Sequence, residues 1–236
     1  MRRVLLFILI GFLLASCGKK SPPLTISEST PLAPKLKLSA TQVGVLLKIE
    51  LPKRNRAGYT LYSFKKLIIQ KSCGKEIDTI EVMPKCHPFA TTVLYLDTKV
   101  SSGICCRYRV SVEKNMFVRS PYSEWKSVCW HTPLVPPRDL SIQVIKALGI
   151  LRLSWEPVKK DINGKPISGD LLYLLEELSS NSSKDFILKK PIYQTKLPKS
   201  VKCYRVKSLL QYKNTLIPGL FTPTICVNKE GAQSPE

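Results

Sequence analysis

Residues 107–112 read Arg-Tyr-Arg-Val-Ser-Val, and this stretch decides the fold class. One face of the extended chain would carry Tyr108, Val110 and Val112, and the other would carry the arginines and the serine. Strict alternation of apolar and polar residues is the signature of a β-strand with one buried face. The pattern returns at Cys203-Tyr204-Arg205-Val206, which indicates two copies of one β-unit.

Short stretches of the same kind fill the first half of the chain. The predicted strands lie at residues 36–38, 45–51, 66–70, 77–82, 91–96, 107–112 and 127–130. About seven short strands in about 100 residues are typical of an immunoglobulin-like sandwich. We therefore predict a first β-module over residues 35–133.

A second module follows a proline-rich linker at residues 132–139, since proline lacks the donor that a sheet interior needs. Leu140, Ile142 and Val144 alternate again. Residues 171–178 fit either a helix or a strand, and the preceding Gly169 and the repeat favour a strand. We predict an all-β chain, with a second module at 138–228 and a tail at 229–236.

The second module resembles a fibronectin type III domain. The residues that carry the resemblance are Pro137-Arg138-Asp139-Leu140, Leu153-Ser154-Trp155-Glu156-Pro157, the Asn-Gly-Lys-Pro-Ile-Ser-Gly turn at 163–169, and Tyr204-Arg205-Val206. The resemblance implies that Trp155 fills the core from the second strand and that Tyr204 begins the inward row of the sixth. The first module is more divergent and has Ile49 or Leu51 where the tryptophan would be.

The amino terminus has the features of an export signal. A basic start, Met1-Arg2-Arg3, precedes an apolar run at residues 4–14, which is too short to span a bilayer. The closing Leu14-Ala15-Ser16-Cys17 resembles the lipobox of bacterial lipoproteins. The resemblance implies cleavage after residue 16 and acylation, such as palmitoylation, of Cys17. The alternative is an ordinary signal peptide with an incidental cysteine.

Residues 17–34 then form a proline-rich tether, which we expect to be a semi-rigid spacer. Its opening, Cys17-Gly18-Lys19-Lys20-Ser21-Pro22-Pro23, resembles short outer-membrane lipoproteins. Glycine rather than aspartate after the lipidated cysteine implies sorting to the outer membrane. We expect the body to lie on the periplasmic face of that membrane.

The chain is strongly basic, with a net charge of +20 over 236 residues. Residues 34–133 carry about +10 and residues 134–236 about +7, so the charge is not confined to a tail. A basic surface beside a membrane attracts anionic headgroups, lipopolysaccharide or acidic cell-wall polymer. A general lysine bias is the alternative. Export argues against nucleic acid as a partner.

The sequence has eight cysteines, and export makes disulfides their first interpretation. With Cys17 lipidated, seven remain and at least one has no partner within the chain. The fibronectin resemblance makes the sixth and seventh strands antiparallel neighbours, and on that basis the repeat pairs Cys105 with Cys129 and Cys203 with Cys226. We further predict a bridge between Cys73 and Cys86, which leaves Cys106 buried and unpaired. Exchange of Cys105 for Cys106 is the main alternative.

The stretch Ser120-Pro121-Tyr122-Ser123-Glu124-Trp125 resembles, in part, the tryptophan-serine motif of cytokine-receptor fibronectin modules. The pairing of Cys105 with Cys129 would place Arg109 opposite Trp125. We therefore predict a cation–π contact between them, as a brace of the sheet. Tyr122, Trp125 and Trp130 form the one aromatic cluster that could serve a carbohydrate site.

No sequence pattern supports catalysis, a metal site or a cofactor. The two histidines, His87 and His131, lie in no zinc-protease motif, and no nucleophile elbow or phosphate loop occurs. Our first hypothesis is therefore a lipid-anchored envelope protein that uses its modules for binding or spacing. Envelope proteins, lipopolysaccharide and peptidoglycan are the expected partners. The alternative is a peptidoglycan- or carbohydrate-binding accessory of an envelope hydrolase.

Overall fold

The computed structural model describes residues 23, 25–83, 91–228 and 233–235. The export signal, Cys17, Cys86 and His87 lie outside these residues. Within the part of the chain that the structure describes, no helix has the length and apolar character that crossing a bilayer requires.

The first module begins with a short helix, α1 (Ile26–Ser29), which a capping box between Thr25 and Glu28 closes at its amino end. Its strands are β1 (Lys35–Ala40), β2 (Val45–Glu50), β3 (Lys66–Ser72), β4 (Asp78–Val82), β5 (Thr92–Asp97), β6 (Ile104–Asn115), β7 (Val118–Arg119) and β8 (Lys126–Trp130). They form one sheet in the order β1-β2-β5 and another in the order β4-β3-β6, with both β7 and β8 paired to β6.

The second module repeats this plan. Its strands are β9 (Arg138–Ile145), β10 (Ile150–Glu156), β11 (Asp170–Ser179), β12 (Ser182–Leu188), β13 (Ile192–Lys196), β14 (Lys202–Tyr212), β15 (Thr215–Phe221), β16 (Ile225–Val227) and β17 (Gln233–Pro235), with a 3-10 turn at Lys146–Leu148. The sheets run β13-β10-β9 and β12-β11-β14-β16-β17, with β15 paired to β14. Residues 233–235, which we had placed in a tail, thus pair with β16.

Alternating apolar side chains build both cores. Tyr108, Val110 and Val112 of β6 are fully buried, as are Tyr204 and Val206 of β14. Each row packs against the facing three-stranded sheet, so the inward side chains of the two sheets form the core of a two-layer sandwich. The predicted fold, two tandem immunoglobulin-like sandwiches with the fibronectin type III arrangement of strands, is confirmed.

The particular core predictions in the second module also hold. Trp155 lies on β10, the second strand of its module, and is only 5% exposed. Its ring meets the edge of Tyr173 at 5.4 Å between centroids. The ambiguous stretch at 171–178 is part of strand β11, because β-pairing to both β12 and β14 there leaves no place for a helix. In the first module Ile49 and Leu51 are both buried.

The linker is packed against the second module rather than free. Leu134 forms a β-bridge with Asp161, and the backbone N–H of Val135 donates to Lys160 O at 3.3 Å. Thr132 and Leu134 are buried. The end of the expected tether does the same on the first module, where Pro31 forms a bridge with Asn55. Prolines therefore lie within or beside the docked segments and do not keep them extended in solvent.

Direct hydrogen bonds join the two modules. The hydroxyl of Tyr212 donates to Gly103 O at 3.0 Å, the N–H of Cys129 donates to Thr215 Oγ1 at 3.1 Å, and Gln42 Nε2 donates to Gly219 O at 2.8 Å. The turn between β14 and β15 thus sits against the end of the first module at which β6 begins and β8 ends. We call this set of contacts the module junction.

Candidate functional site

The outer face of the first module carries a stack of arginines and aromatic rings. The guanidinium of Arg109 lies 4.6 Å from the centre of the Trp125 ring and 4.4 Å from that of Tyr122. Arg107 lies over Trp125 at 4.9 Å, and Arg119 lies over Tyr122 at 4.7 Å. We call these five side chains the arginine stack. The predicted contact between Arg109 and Trp125 is confirmed. The sequence analysis placed Tyr122 in an aromatic cluster but not beneath an arginine, and it missed the contacts of Arg107 and Arg119.

Alternation along β6 places the cations of the stack. Arg107 and Arg109 are two residues apart and therefore point to the same side, away from the buried Tyr108. Gln70 on the neighbouring β3 accepts a hydrogen bond from Arg109 Nε at 2.8 Å. This contact holds the guanidinium plane in position between the two rings. The signal that could have revealed Arg107 was this parity, which it shares with Arg109.

Two serines hold the ring-bearing segment against β6 where the regular ladder is interrupted. Ser120 Oγ accepts from the N–H of Val112 at 3.0 Å, and Ser123 Oγ accepts from the N–H of Val110 at 3.1 Å. The serine N–H groups donate back to the carbonyls of the same valines. Each serine hydroxyl thus accepts the hydrogen bond that a backbone carbonyl would accept in a regular ladder. The chain between β7 and β8 therefore stays extended beside β6 and presents Tyr122 and Trp125 outward.

A basic cleft adjoins this stack. It has a volume of about 510 Å³, and its lining includes Pro34, Lys35, Lys37, Tyr122, Glu124 and Lys126. Lys35 and Lys126 are exposed, and Lys37 forms a surface ion pair with Glu50 at 3.5 Å. With three lysines and a single acidic lining residue, Glu124, the cleft is suited to an anionic group rather than a cationic one.

Trp130 does not belong to the aromatic cluster. It packs on the core, and its indole N–H donates to Thr41 O at 2.9 Å. Because β8 alternates, Trp130 faces the side opposite to Cys129. The carbohydrate surface that we considered from the sequence therefore loses one of its three rings, and arginines lie over the other two.

The second module repeats the stack in a reduced form, which the sequence analysis did not foresee. Arg205 lies over the Phe221 ring at 4.2 Å and Lys207 at 4.4 Å. Glu176 accepts from Arg205 Nε at 2.5 Å, in the place that Gln70 takes in the first module. The N–H of Val206 donates to Thr222 Oγ1 at 3.1 Å, as Val110 does to Ser123. The stack is thus a repeated element of the module.

A buried ionic cluster lies beneath the surface of the first module. Lys71 Nζ and Asp97 Oδ2 are 2.8 Å apart, and their side chains are 7% and 3% exposed. Tyr108 OH donates to the same carboxylate at 2.8 Å, and the N–H of Lys99 donates to it at 2.9 Å. Lys71 also donates to Lys99 O at 2.5 Å. Every charged atom therefore has a partner, as a buried ion pair requires.

This cluster sets the protonation of its members. Burial by itself would raise the pKa of Asp97, but the hydrogen bonds from Lys71, Tyr108 and the Lys99 N–H outweigh burial and lower that pKa below its usual value. Burial, and then the bond to Asp97 and its negative charge, raise the pKa of Tyr108. The carboxylate is thus charged and the phenol neutral at any physiological pH.

The second module has a counterpart with its charges on different strands. Glu177 on β11 accepts from Lys202 Nζ at 2.5 Å and from Tyr204 OH at 3.1 Å. Burial and the charge of Glu177 raise the pKa of Tyr204. In both modules a core tyrosine therefore donates to a carboxylate that also pairs with lysine. In the first module, Lys71, Asp97 and Lys99 also line a cavity of about 420 Å³.

Three disulfides are present among the described residues, and two of them link directly opposed residues of neighbouring strands. The bridges Cys105–Cys129 and Cys203–Cys226 join β6 to β8 and β14 to β16, with the pairing that the repeat predicted. The third bridge joins Cys73 to Cys106. Our pairing of Cys73 with Cys86, and the unpaired state of Cys106, were wrong.

The register of β3 and β6 explains this correction. Ser72 lies opposite Arg107, so the next residue, Cys73, comes beside Cys106. Cys106 shares the parity of Tyr108 and is buried, whereas Cys73 lies just past the end of β3 and is exposed. The sequence prediction joined Cys73 to the next cysteine along the chain, whereas the fold makes β6 its neighbour.

Possible metal ligands and the one described histidine, His131, were the remaining candidates for a chemical site. In residues 25–83 and 91–228, no group of three His, Cys, Asp or Glu side chains is placed to hold a metal ion. His131 forms a hydrogen bond with Ser168 Oγ at 2.8 Å, and its ring lies tilted beside that of Tyr212, with 5.0 Å between ring centres. This histidine therefore belongs to the module junction.

Replacing Arg109 with alanine tests the stack as a brace. We expect the free energy of unfolding to fall by about 1–2 kcal/mol, since two cation–π contacts of about 0.5–1 kcal/mol each and the bond to Gln70 are lost. Arg109→Lys should recover only part of this, because an ammonium cannot stack as a plane between two rings. Urea unfolding followed by tryptophan fluorescence measures the change.

Lys114→Ala is the matched control, since it removes one positive charge from an exposed position on the same strand. Its effect should stay within about 0.5 kcal/mol. Equal losses for the two alanine variants would show that the stack does not stabilise the module.

Comparisons with known proteins assign no family to this chain. No family model matches the sequence, and no curated protein matches it. The chain is similar to the crystal structure of the FN1–FN3 domains of chicken CNTN1, with a TM-score of 0.49 and 14% sequence identity over 88% of this chain and 69% of that one.

Proposed function

We propose that this chain is a lipid-anchored cell-envelope protein whose two modules form one arm for binding or spacing. The basic, apolar and small-residue segments up to Cys17 support export and acylation. The fold supports the second half of the proposal, because fibronectin-type sandwiches present loops and sheet faces rather than a catalytic centre. Gly18 after the cysteine favours the outer membrane, with the arm in the periplasm.

The module junction is the observation that carries the proposal of a single arm. Hydrogen bonds between a side chain and the backbone, at Tyr212, Cys129 and Gln42, join the two modules. The linker between them is held in place as well, because Leu134 forms a β-bridge with Asp161. Two modules on a free linker would not hold a fixed separation. Modules joined in this way can hold a partner at a defined distance from the anchor.

Charge supports an anionic partner, such as lipopolysaccharide or an acidic polymer of the envelope. Lys35, Lys37 and Lys126 line the basic cleft of the first module together with Tyr122. Electrostatic attraction of this kind would raise the rate of association and would weaken with salt. The carbohydrate-binding alternative has less support, since guanidinium groups lie over both rings of the arginine stack.

The anchor is tested by following Cys17→Ser in cells that express the full-length chain. We expect the wild type to mature to an acylated chain that begins at residue 17 and sediments with outer membranes. The serine variant should keep its leader or leave the membrane without detergent. Intact-mass analysis and density-gradient fractionation measure both properties.

Cys86→Ser is the control, because it removes a thiol that no described disulfide uses. It should mature and sediment as the wild type does. Normal processing of the Cys17→Ser chain, or a wild-type chain without an acyl group, would refute lipid anchoring and would leave the fold and the junction unaffected.

A further inference from the structure

Exposed apolar side chains concentrate at one end of the first module. Tyr59, Tyr62, Met83, Met116 and Phe117 are 55%, 70%, 70%, 73% and 79% exposed. Ile26 of helix α1 and Leu32 are exposed as well. Exposed Leu or Met residues scattered singly need no explanation, but a group of large side chains at one end marks an interaction site.

Strand directions place these residues together. Lys35 at the start of β1 pairs with Glu50 at the end of β2, so the loop at 51–65 and helix α1 lie at the same end. The N–H of Lys65 donates to Glu113 O at 2.7 Å, which brings the end of that loop beside the turn at residues 116–117. Leu67 pairs with Val82, and Met83 follows at the same level. We call this end the tip.

Positive charge accompanies the apolar side chains at the tip. Lys53, Arg54, Arg56 and Lys114 are exposed, and within the described part of the chain none of them has a carboxylate oxygen within 4.0 Å.

The acidic residues near the tip already have partners. Glu113 pairs with Lys65 and Lys66, Glu81 pairs with Lys66, and Glu28 caps helix α1. The four unpaired cations therefore give the tip a net positive field.

In the second module, the end that corresponds to the tip is covered by the first module. Its loop carries the same turn, in which Asp161 accepts from two backbone N–H groups, as Asn55 accepts from Tyr59. The preceding chain docks on it through matching bonds, with Leu134 at Asp161 and Pro31 at Asn55. The two-residue turn of the second module, at 213–214, lies against the first module.

The corresponding turn of the first module holds Met116 and Phe117, and no described residue covers it. The chain that enters this end comes from Cys17. From Cys17 to Thr25 there are only eight residues, which span at most about 28 Å. An anchored chain would thus keep the tip within reach of the membrane surface.

We propose that the tip lies on an anionic lipid surface, which covers the first module as the first module covers the second. Tyrosine suits the headgroup region of a bilayer, because one end of its side chain is apolar and the other polar. Met116 and Phe117, the most exposed of these side chains, enter the acyl boundary, while the four cations meet lipid phosphates. This inference rests on the proposed membrane anchor, and it adds a second contact that fixes the direction of the arm.

The test separates the tip from the anchor by using the mature chain, residues 17–236, with Cys17→Ser. Without an acyl group, its co-sedimentation with vesicles reports the tip alone. We expect binding to vesicles of phosphatidylcholine with about a third phosphatidylglycerol and little binding to phosphatidylcholine alone. Substitution of Lys53, Arg54 and Arg56 by glutamine should weaken binding about tenfold or more.

The matched control replaces Lys184, Lys189 and Lys190 with glutamine. These three lysines are exposed in the second module, so the net charge changes equally. The control should bind nearly as well as the parent. A Met116→Ser, Phe117→Ser variant should bind less at high salt, because its loss is apolar rather than electrostatic.

Three results would overturn the proposal. Equal losses for the two glutamine sets would mean that overall charge attracts the chain, without a specific contact at the tip. Absence of binding to anionic vesicles would remove the membrane as the occupant. Self-association of the lipid-free chain that the Met116 and Phe117 substitutions abolish would identify a second copy as the occupant. None of these results bears on whether Cys17 is acylated.

Discussion

Replacing Asp97 with asparagine is expected to lower the free energy of unfolding of the first module by about 3–5 kcal/mol. The change keeps the size of the side chain but leaves the Lys71 ammonium buried without its counter-charge. It also weakens the acceptor of Tyr108 and of the Lys99 N–H. Chemical unfolding followed by the fluorescence of Trp125 and Trp130 measures the loss.

Two further variants show whether the unpaired charge is the cause. Asp185→Asn changes an exposed aspartate of the second module and should alter stability by less than about 0.5 kcal/mol. Adding Lys71→Met to Asp97→Asn should restore much of the stability, since an apolar side chain carries no desolvation cost. A double variant as unstable as Asp97→Asn alone would contradict this account.

The same pair makes stability depend on pH in a defined direction. The native pKa of Asp97 lies below its unfolded value of about 3.9, so its contribution is fully present above that value. It is lost as the pH falls through the native pKa, because the folded state must then take up a proton. The difference in unfolding free energy between wild type and Asp97→Asn should therefore shrink between about pH 5 and pH 2.

Removing the bridge between Cys73 and Cys106 is expected to cost about 3–4 kcal/mol, since it closes a loop with a sequence separation of 33. The Cys73→Ala, Cys106→Ala variant should show this loss in chemical unfolding. Peptide mapping without reductant should recover the wild-type peptides of these two cysteines joined to each other.

Cys86→Ser distinguishes the observed pairing from the one that the sequence suggested. We expect it to leave stability unchanged, because Cys86 is not the partner of Cys73. If Cys86→Ser were as destabilising as the double variant, and Cys106→Ala alone were harmless, the bridge would run from Cys73 to Cys86 instead.

The adjacent cysteines of β6 have complementary effects. Cys105 points outward and fixes β6 to β8, while Cys106 points inward and fixes β6 to β3. The N–H of Cys129 also donates across the module junction. Three strands are therefore locked together at the end of the first module that receives the second, which is where a spacing arm needs stiffness.

Some missed features had a signal in the sequence. Lys71 continues the inward row of Leu67 and Ile69, and Glu177 continues that of Tyr173 and Leu175. A charged residue on an inward position of a strand predicts a buried ion pair, but its partner lies on another strand. The odd or even position of a residue along a strand predicts the face on which it lies, but not the residue of another strand that it contacts.

The sequence by itself determined the β-class, the repeat, the two disulfides between sixth and seventh strands, and the contact of Arg109 with Trp125. The β-class and the repeat depend on alternation with a period of two residues, which is local and survives without knowledge of packing. The two disulfides and the contact also depended on the strand pairing that the fibronectin resemblance implied. Only the tertiary structure decided the partner of Cys73, the pairing of Lys71 with Asp97 and the grouping of Tyr62 with Phe117. These depend on strand order and register between distant segments, which are set by how the whole sandwich closes.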